Sequence, residues 1–566
     1  MILSAISLSK KFDLSTPLNA SEWGQRERNN IRYLHVSYSG HTVEDGSVRI
    51  YAMYGRPADD LKHPVILLLA DAGKTVDTEM MEYFIEKGYA VLMVDYSGKM
   101  YGDKEGCMRT SYPPSLEHGN YEKARGLYDM KGLQAEETTW FEWAYVALFS
   151  IKYLKSREDV GKIGIIGIKK GGDIAWQAML SSDVACGIPV NAAGWRSFSK
   201  VAKFGDNIMS NLSDDEHRYI AAVEAQSYAP YVQCPVLMLC ALRDSDFDCD
   251  RAYDTYSRIG NPDGNALVYS STSGACIGPN ALYDMDMFLE KFLKGREIYI
   301  PDTLNVAIKE VEDRLAIEVD CDKEGILDSV GVYYAEADVK TKSTYRDWKQ
   351  IYHEKGRAVK GGKAVCYVKP FAGTSAVFVY AYAKYINGFR VTSKIVCKRM
   401  PKPDPTVIKN RMLFSGKEEI GSFCVAENEA YSVGGIFLEK EALPKATEGY
   451  GGIHGVYSIG GVKTYKISSP MYIPDENALL EFDVYLKEDD NFNVVIEVAD
   501  IDKKIERFSC VFPVKGGGKW KRIILKASDF KGENGIPLSK FGEGKAISFD
   551  CETEENEYAV TNILWL

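Results

Sequence analysis

The chain has 566 residues, of which 45% are hydrophobic and 26% are charged. This composition is typical of globular proteins, and the length exceeds what one hydrophobic core can hold, so we expect three domains. The 80 acidic and 69 basic residues give a net charge of -11. That balance excludes a general nucleic-acid-binding protein, because such a protein needs a basic face for phosphate.

The sequence shows no pattern typical of secreted or membrane proteins. The opening "MILSAISLSKKF" places its lysine pair after a short apolar stretch, whereas a secretory signal carries its charge first. No run of about 18 apolar residues follows. The 12 cysteines lie singly, without a C-x-x-C pair or zinc-ligand spacing. We therefore expect a cytoplasmic protein with free buried thiols, no cofactor, no metal ligands and no membrane contact.

Residues 1–300 alternate apolar strands with amphipathic helices. The predicted strands end in loops and are "VILLLADAG" (65–73), "YAVLMVDYSG" (89–98), "IGIIGIKK" (163–170), "PVLMLCALRD" (235–244) and "ALVYSS" (266–271). Helical spacing is clearest in "TTWFEWAYVALFSIKYLKS". Strands alternating with helices predict an α/β fold, in which a mostly parallel sheet is covered by helices on both faces.

The remaining sequence is rich in short strands. Residues 303–400 predict a small β-sandwich of immunoglobulin or fibronectin type, since turn signals separate the strands and no helix is evident. The proline-rich "KRMPKPDPTV" is typical of a domain junction. Residues 410–566 predict a larger antiparallel sandwich or jelly roll. The expected architecture is therefore an α/β domain followed by two all-β sandwich domains.

A glycine turn at residues 165–172, "IIGIKKGG", has the spacing of a hydrolase nucleophile elbow. In the pattern G-x-nucleophile-x-G, the glycines allow a sharp strand-to-helix turn that exposes the middle side chain. Gly167 and Gly171 fit the glycine positions, but Lys169 occupies the middle.

The first 300 residues resemble the α/β-hydrolase superfamily, specifically the acetyl xylan esterases and dienelactone hydrolase-like esterases. The resembling stretches, in order, are "LLLADAG" at the oxyanion-loop position, "VDYSG", "IGIIGIKKGG" at the elbow, and "PVLMLCALRDSDFDCDRAYDTY" around the acid. Their order and spacing are more specific than any single motif.

The resemblance places the family's catalytic serine on Lys169 and its acid on Asp244. The family's histidine belongs in the loop "TSGACIGPN", which contains none, and Cys276 is the nearest polar candidate there. None of the 7 histidines lies between 218 and 352. Because a catalytic triad acts as a unit, the loss of both nucleophile and base excludes the ordinary serine-esterase mechanism.

Lysine side chains around the elbow predict an anion-binding site. Lys74 follows Ala72 and Gly73 in the oxyanion loop, and Lys170 follows Lys169 at the N-terminus of a helix, where backbone N–H groups favour anions. The expected ligand is a carbohydrate or small acidic compound, such as a uronate or a phosphorylated molecule. An equally weighted alternative is that these lysines face solvent, or that Lys169 pairs with Asp244 and fills a dead site.

In the last domain, "GGGKWKRIILKASDF" and "YAVTNILWL" resemble carbohydrate-binding jelly rolls of the galactose-binding type. Sugar sites use exposed aromatic rings, so the candidates are Trp520 and Tyr558, with Tyr450 and Trp565. Core packing is the stronger expectation for Trp520 and Trp565, since both lie within strand patterns. Such jelly rolls often hold a structural calcium ion, but no compact acidic loop locates one.

Three functional hypotheses follow. The first is a catalytically degenerate hydrolase-fold protein that binds a carbohydrate-related, anionic ligand. The second is an active carbohydrate esterase that uses Lys169, Cys276 and Asp244, with Schiff-base chemistry at Lys169 as a variant. The third is a structural scaffold. The sequence predicts no oligomeric state.

Overall fold

A computed structural model describes residues 3–205, 212–244, 246–270, 274–321, 327–354, 359–360, 362–401, 403–426, 429–499, 505–553 and 556–566. Below, the α/β unit means residues 3–300, the middle unit 303–400 and the C-terminal unit 410–566.

The α/β unit is built on a nine-stranded sheet in the order β1-β2-β3-β5-β4-β6-β7-β8-β9. Strands β4 to β9 are parallel to one another, and β1 to β3 add an antiparallel edge. The strands are β1 Ser21–Arg28, β2 Ile31–Val43, β3 Gly46–Pro57, β4 His63–Leu69, β5 Ala90–Asp95, β6 Val160–Ile168, β7 Val184–Val190, β8 Leu237–Ala241 and β9 Ala266–Ser270.

Helices cover both faces of this sheet. Helices α2 and α8 pack on one face through Met81, Phe84 and Phe288, while α3 and α4 pack on the other through Trp143 and Trp176. The helices are α1 Ala5–Ser9, α2 Thr78–Ile85, α3 Thr139–Lys155, α4 Lys170–Ala178, α5 Asp214–Ala222, α6 Ala225–Tyr228, α7 Ala252–Tyr256 and α8 Asn280–Phe292. The central strands are therefore buried on both faces, which explains their continuous apolar runs.

The antiparallel edge was not predicted from the sequence. Strands β1 and β2 form a hairpin whose turn, Asn29 and Asn30, has φ angles of 51° and 63°. Two central residues with positive φ define the hairpin turn that matches strand twist, and asparagine tolerates that conformation well. The two successive asparagines were the sequence signal that could have predicted this hairpin turn.

The middle unit consists of two antiparallel sheets. One has the order β10-β11-β15-β14, and the other the order β13-β12-β16-β17 with β18 paired to β16. The strands are β10 Asn305–Val311, β11 Arg314–Asp320, β12 Leu327–Ala337, β13 Lys349–Glu354, β14 Val359–Lys360, β15 Lys363–Val368, β16 Ala376–Tyr385, β17 Arg390–Thr392 and β18 Val396–Arg399.

The C-terminal unit also has two antiparallel sheets, ordered β23-β24-β31-β26-β29 with β19 on β31, and β20-β25-β30-β27-β28. A separate two-stranded hairpin, β21-β22, belongs to neither. The strands are β19 Met412–Phe414, β20 Phe423–Val425, β21 Ser432–Val433, β22 Phe437–Leu438, β23 Lys445–Glu448, β24 His454–Tyr457, β25 Val462–Thr464, β26 Leu480–Leu486, β27 Asp490–Val498, β28 Glu506–Val514, β29 Lys521–Leu525, β30 Gly544–Cys551 and β31 Tyr558–Trp565. The predicted fold class, α/β with all-β sandwiches after it, is confirmed.

Buried contacts join the three units. Arg346 of the middle unit is 1% exposed and makes a bidentate ion pair with Asp250 of the α/β unit, at 2.6 and 2.7 Å. Its guanidinium also lies 3.5 Å from the ring centroid of Phe378. Arg243 of the α/β unit stacks 3.6 Å from the ring centroid of Tyr465 in the C-terminal unit. Among the described residues, no helix is long and apolar enough to cross a membrane.

Candidate active site and elbow pocket

The elbow between β6 and α4 keeps the geometry that the glycine pattern predicts. Lys169 has φ 51° and ψ -115°, a conformation that non-glycine residues rarely adopt. A Cβ atom on Gly171 would lie 2.2 Å from the carbonyl oxygen of Leu69, and one on Gly167 would lie 2.3 Å from that of Gly171. The N–H of Lys169 donates to the carbonyl of Val190 at 2.8 Å. Tight backbone packing therefore holds the strained turn, whatever side chain it displays.

The oxyanion loop after β4 carries a carboxylate where the family binds an oxyanion. In α/β-hydrolases, the donors are the N–H of the residue after the nucleophile and an N–H of this loop. Here the Oδ1 atom of Asp71 accepts the N–H of Ala72 at 2.8 Å and the N–H of Lys170 at 3.3 Å. The same oxygen lies 3.9 Å from the ammonium of Lys170. The carboxylate of Asp71 thus already accepts hydrogen bonds from both N–H groups that are candidates to bind an oxyanion.

The rest of the oxyanion loop is fixed by a buried arginine. Arg109 donates to the carbonyls of Gly73 at 3.2 Å and Lys74 at 2.8 Å, and it pairs with Asp95 at 3.2 Å. Burial raises the pKa of Asp95 to about 6. The N–H of Gly73 donates to the hydroxyl of Ser97 at 2.8 Å. Consequently Ala72 and Gly73 hold the loop through their main chains, and the side chain of Lys74 is exposed.

Asp244 lies in the loop after β8 and is 2% exposed. Its Oδ1 atom accepts the N–H of Asp246 at 2.7 Å, and its Oδ2 atom has no hydrogen-bond partner among the described residues. Burial, followed by the charge of Asp246, raises the pKa of Asp244 to about 7, while the charge of Lys169 opposes this. Lys169 and Asp244 therefore interact electrostatically across the elbow.

The loop that carries the family's histidine is bound by the C-terminal unit. The N–H of Ile277 donates to the carbonyl of Ile436 at 2.8 Å, and the N–H of Leu438 donates to the carbonyl of Ile277 at 2.9 Å. Cys276 is completely buried in an apolar cluster with Val425 and Leu438. Among the described residues, the carboxylate of Asp244 accepts only the N–H of Asp246, so no hydrogen bond joins it to this thiol. The structure therefore does not join Cys276 to the acid.

Beside the elbow lies a cavity of about 620 Å³, which we call the elbow pocket. Sequence reasoning predicted Lys170 here, but it missed the wall that the middle unit supplies. Residues that line the cavity include Tyr128, Lys170, Asp246, Lys342, Ser343 and Thr344.

Hydrogen bonds fix this wall against the acid loop. The hydroxyl of Thr344 donates to the carbonyl of Asp244 at 3.2 Å. Arg243 donates to the carbonyl of Thr344 at 3.3 Å. No motif in residues 342–345 indicates a site, so only the tertiary structure reveals it.

Lys170 provides a buried positive charge at the pocket. It is 8% exposed, and its ammonium lies 5.8 and 5.9 Å from the ring centroids of Tyr121 and Tyr128. Burial lowers the pKa of Lys170, but Asp71 and the neighbouring acidic groups outweigh burial, so the net pKa is raised. Lys170 is therefore charged at neutral pH. Two of the carboxylates that line the pocket are paired, Asp248 with Arg251 at 2.8 Å and Asp250 with Arg346 at 2.6 Å.

The aromatic candidates of the C-terminal unit separate into surface and core. Trp520 is half-exposed, with its ring centroid 5.7 Å from that of Tyr485. Tyr558 is 3% exposed, and its hydroxyl donates to main-chain carbonyls, so it is a core residue that cannot stack on a sugar. Trp565 is also buried, at 2%. The side chain of Tyr450 lies outside the described part. Among the described residues, no cluster of three or more His, Cys, Asp or Glu could hold a metal ion.

Residues 50–268 match the model of the dienelactone hydrolase family. No curated protein sequence matches the chain. One similar solved structure is the acetyl xylan esterase from Paenibacillus sp. R4 (18% identity, TM-score 0.39, covering 51% of this chain and 92% of that one). Another is acetyl xylan esterase 1 from Thermoanaerobacterium sp. JW/SL YS485 (12%, 0.38, 51% and 91%). A third is Est1E of Butyrivibrio proteoclasticus with ferulic acid (16%, 0.31, 45% and 98%). The family match over residues 50–268 and the sheet topology together show that this part of the chain is an α/β-hydrolase-fold, dienelactone hydrolase-like region.

Proposed function

We propose that this protein is a catalytically degenerate α/β-hydrolase-fold protein whose elbow pocket binds an anionic, carbohydrate-related ligand. The observation that carries the proposal is the carboxylate of Asp71 on the N–H groups of Ala72 and Lys170, beside a lysine at the nucleophile position.

The arrangement opposes ester hydrolysis at each step. An ester carbonyl gains negative charge on oxygen in the transition state, and catalysis requires free donors aimed at that oxygen. Here those donors already bind a carboxylate, whose negative charge would repel the developing oxyanion. Among the described residues no histidine bonds to the carboxyl group of Asp244, so no base links it to a nucleophile. Acylation of Lys169 would give a stable amide that does not turn over.

Amine chemistry at the neighbouring lysine is also disfavoured. A lysine forms a Schiff base only as the free amine, which enzymes obtain by lowering its pKa. The pKa of Lys170 is instead raised, because Asp71 outweighs the effect of burial. A permanent ammonium is suited to binding an anion.

The elbow pocket combines the groups that bind an acidic sugar. Lys170 and Lys342 supply positive charge, Ser343 and Thr344 supply hydroxyls, and Tyr128 supplies an aromatic ring. Ligand pockets typically hold a few placed polar groups among apolar and aromatic walls, in cavities of about 300–1,000 Å³. The ring of Tyr128 suits the apolar face of a pyranose, and the ammonium of Lys170 suits its carboxylate.

Isothermal titration calorimetry with D-glucuronate, D-galacturonate and neutral D-glucose tests the binding. We expect a uronate to bind, D-glucose not to bind, and Lys170→Met to weaken uronate binding at least tenfold. Lys363→Met is the control, because that side chain is 68% exposed and lies in the middle unit. Equal binding of D-glucose, or an undiminished affinity in Lys170→Met, would contradict the proposal.

Hydrolysis of p-nitrophenyl acetate and acetylated xylo-oligosaccharides tests the catalytic part. Wild type, Lys169→Ala and Lys169→Ser are expected to stay at the blank rate. Hydrolysis by wild type that Lys169→Ala abolishes would favour the alternative of an active esterase with non-standard residues. Neither binding nor hydrolysis would favour the structural scaffold.

A further inference from the structure

The β21-β22 hairpin, residues 432–438, projects from the C-terminal unit and pairs with neither of its sheets. Its turn contains Gly434 and Gly435, with φ angles of 63° and 70°. The N–H of Ile436 closes the turn on the carbonyl of Val433 at 3.3 Å. Positive φ at two successive turn residues favours glycine, so "VGGIF" encodes this hairpin locally. We call residues 432–438 the insertion hairpin.

The insertion hairpin reaches both loops that supply catalytic groups in a hydrolase. On one side, a Cβ atom placed on Gly434 would lie 2.6 Å from the sulfur and 3.6 Å from the Cβ of Met80, in α2. A Cβ atom on Gly435 would lie 3.9 Å from the ammonium of Lys74, in the oxyanion loop. On the other side, Ile277 exchanges two main-chain hydrogen bonds with the hairpin, just before α8.

Burial shows that the side chains of the hairpin are packed into the core. Ile436 and Phe437 are 0% exposed, and they share one apolar cluster with Met80, Ile168 and Ile277. Ile168 is the last residue of β6, next to Lys169. The hairpin therefore packs between α2 and the loop before α8, whereas residues of the middle unit line the elbow pocket.

The insertion hairpin is not part of either sheet of the C-terminal unit. Among the described residues, two main-chain hydrogen bonds join it to the α/β unit, both at Ile277. Segments outside the sheets open at a lower free energy than the global unfolding of a domain, and opening this one costs the exposure of Ile436 and Phe437. The glycine pair also permits the turn to change conformation.

We propose that the insertion hairpin is an intramolecular plug of the hydrolase cleft. The cleft lies between α2 and residues 274–279, which we call the histidine loop after the family's residue, and it opens when the hairpin withdraws. The C-terminal unit then controls access to the elbow from the α2 side. This inference does not depend on which ligand the elbow pocket binds.

A disulfide between the hairpin and α2 tests the proposal in the full-length protein. The Cβ separation of 3.6 Å between position 434 and Met80 lies within the range that disulfides need, about 3.5–4.5 Å. Met80→Cys/Gly434→Cys is expected to cross-link on mild oxidation. Met80→Cys/Gly451→Cys is the control, because Gly451 also has positive φ, 74°, but a Cβ there meets nothing within 4 Å.

The native thiol of Cys276, buried under the C-terminal unit, reports on opening. Its alkylation by iodoacetamide is followed by peptide mass spectrometry. We expect the cross-linked protein to react at least tenfold more slowly than wild type, and Gly434→Val, which clashes with Met80, at least tenfold faster. Cys240, buried in β8, is the internal control for global unfolding. Equal rates at Cys276 in the cross-linked and wild-type proteins would overturn the proposal, even if Gly434→Val fails to fold.

Discussion

The elbow and the histidine loop both follow the carboxyl ends of parallel strands, yet they differ in the contacts that hold them. The elbow has a strained backbone at Lys169, the middle position of its glycine pattern. The loop before α8 carries Cys276 and no histidine, and its Ile277 pairs with the insertion hairpin. The packing differs as well: Gly167 and Gly171 closely approach backbone atoms of the α/β unit itself, whereas Cys276 and Ile277 are buried against the C-terminal unit.

The largest effect is expected from breaking the elbow. In Gly171→Ala, the new methyl group would lie 2.2 Å from the carbonyl of Leu69 and 2.4 Å from that of Ala70. Main-chain atoms in a central sheet cannot relax, so we expect a loss of more than about 3 kcal/mol in the free energy of unfolding, measured with urea. The control Gly421→Ala, where a Cβ meets nothing within 4 Å, should stay within about 0.5 kcal/mol.

Restoring a histidine on the other loop tests how far that loop has diverged. Cys276→His places a larger, polar ring among Val425, Leu438 and Ala442, all of the C-terminal unit. Overpacking and an unpaired ring nitrogen together should cost about 2 kcal/mol or more and increase proteolysis near the hairpin. Cys276→Ala should cost about 1 kcal/mol by comparison. A stable Cys276→His protein with an intact hairpin would show that the loop still accommodates the family's base.

The acid between these two regions gives a pH-dependent prediction. The pKa of Asp244 is about 7 in the folded protein, above its ordinary 3.8, so the folded state holds the proton more tightly. Its contribution to stability is therefore present at low pH and is lost as the pH rises from about 4 through about 7. Asp244→Asn, which stays neutral, should gain about 1–3 kcal/mol relative to wild type between pH 5 and pH 8. Asp60→Asn, at a side chain 99% exposed, should show no such trend in urea denaturation.

The smallest effect is expected at the nucleophile position itself. Lys169 is half-buried, and the neighbouring glycines rather than its side chain hold the turn. Lys169→Ser should therefore change the free energy of unfolding by less than about 0.5 kcal/mol at pH 5, where Asp244 is mostly neutral. A loss above about 2 kcal/mol in thermal or urea unfolding would mean that the lysine, and not the backbone, stabilises the elbow.

Much of the α/β unit could be predicted because its signals are local. Apolar runs bounded by glycine loops located the central strands, and glycine spacing located the elbow to the residue, including Lys169. The orientation of Asp71 was not predictable, since "LADAG" does not reveal which donors a carboxylate will meet. The pocket wall at Thr344 depends on docking between units, which leaves no pattern in the sequence. The insertion hairpin did have a local signal, Gly434-Gly435 between apolar residues, but its docking partner did not.

The ion pair of Arg346 limits how the α/β and middle units can be separated during evolution. The guanidinium is 1% exposed and neutralises Asp250 inside another unit, so cutting the chain between the two would leave a buried carboxylate without its counter-charge. Removing one partner of a buried ion pair typically costs about 3–5 kcal/mol. The α/β and middle units are therefore poor candidates for separate reuse in other proteins, and recombination is expected to transmit them as one block.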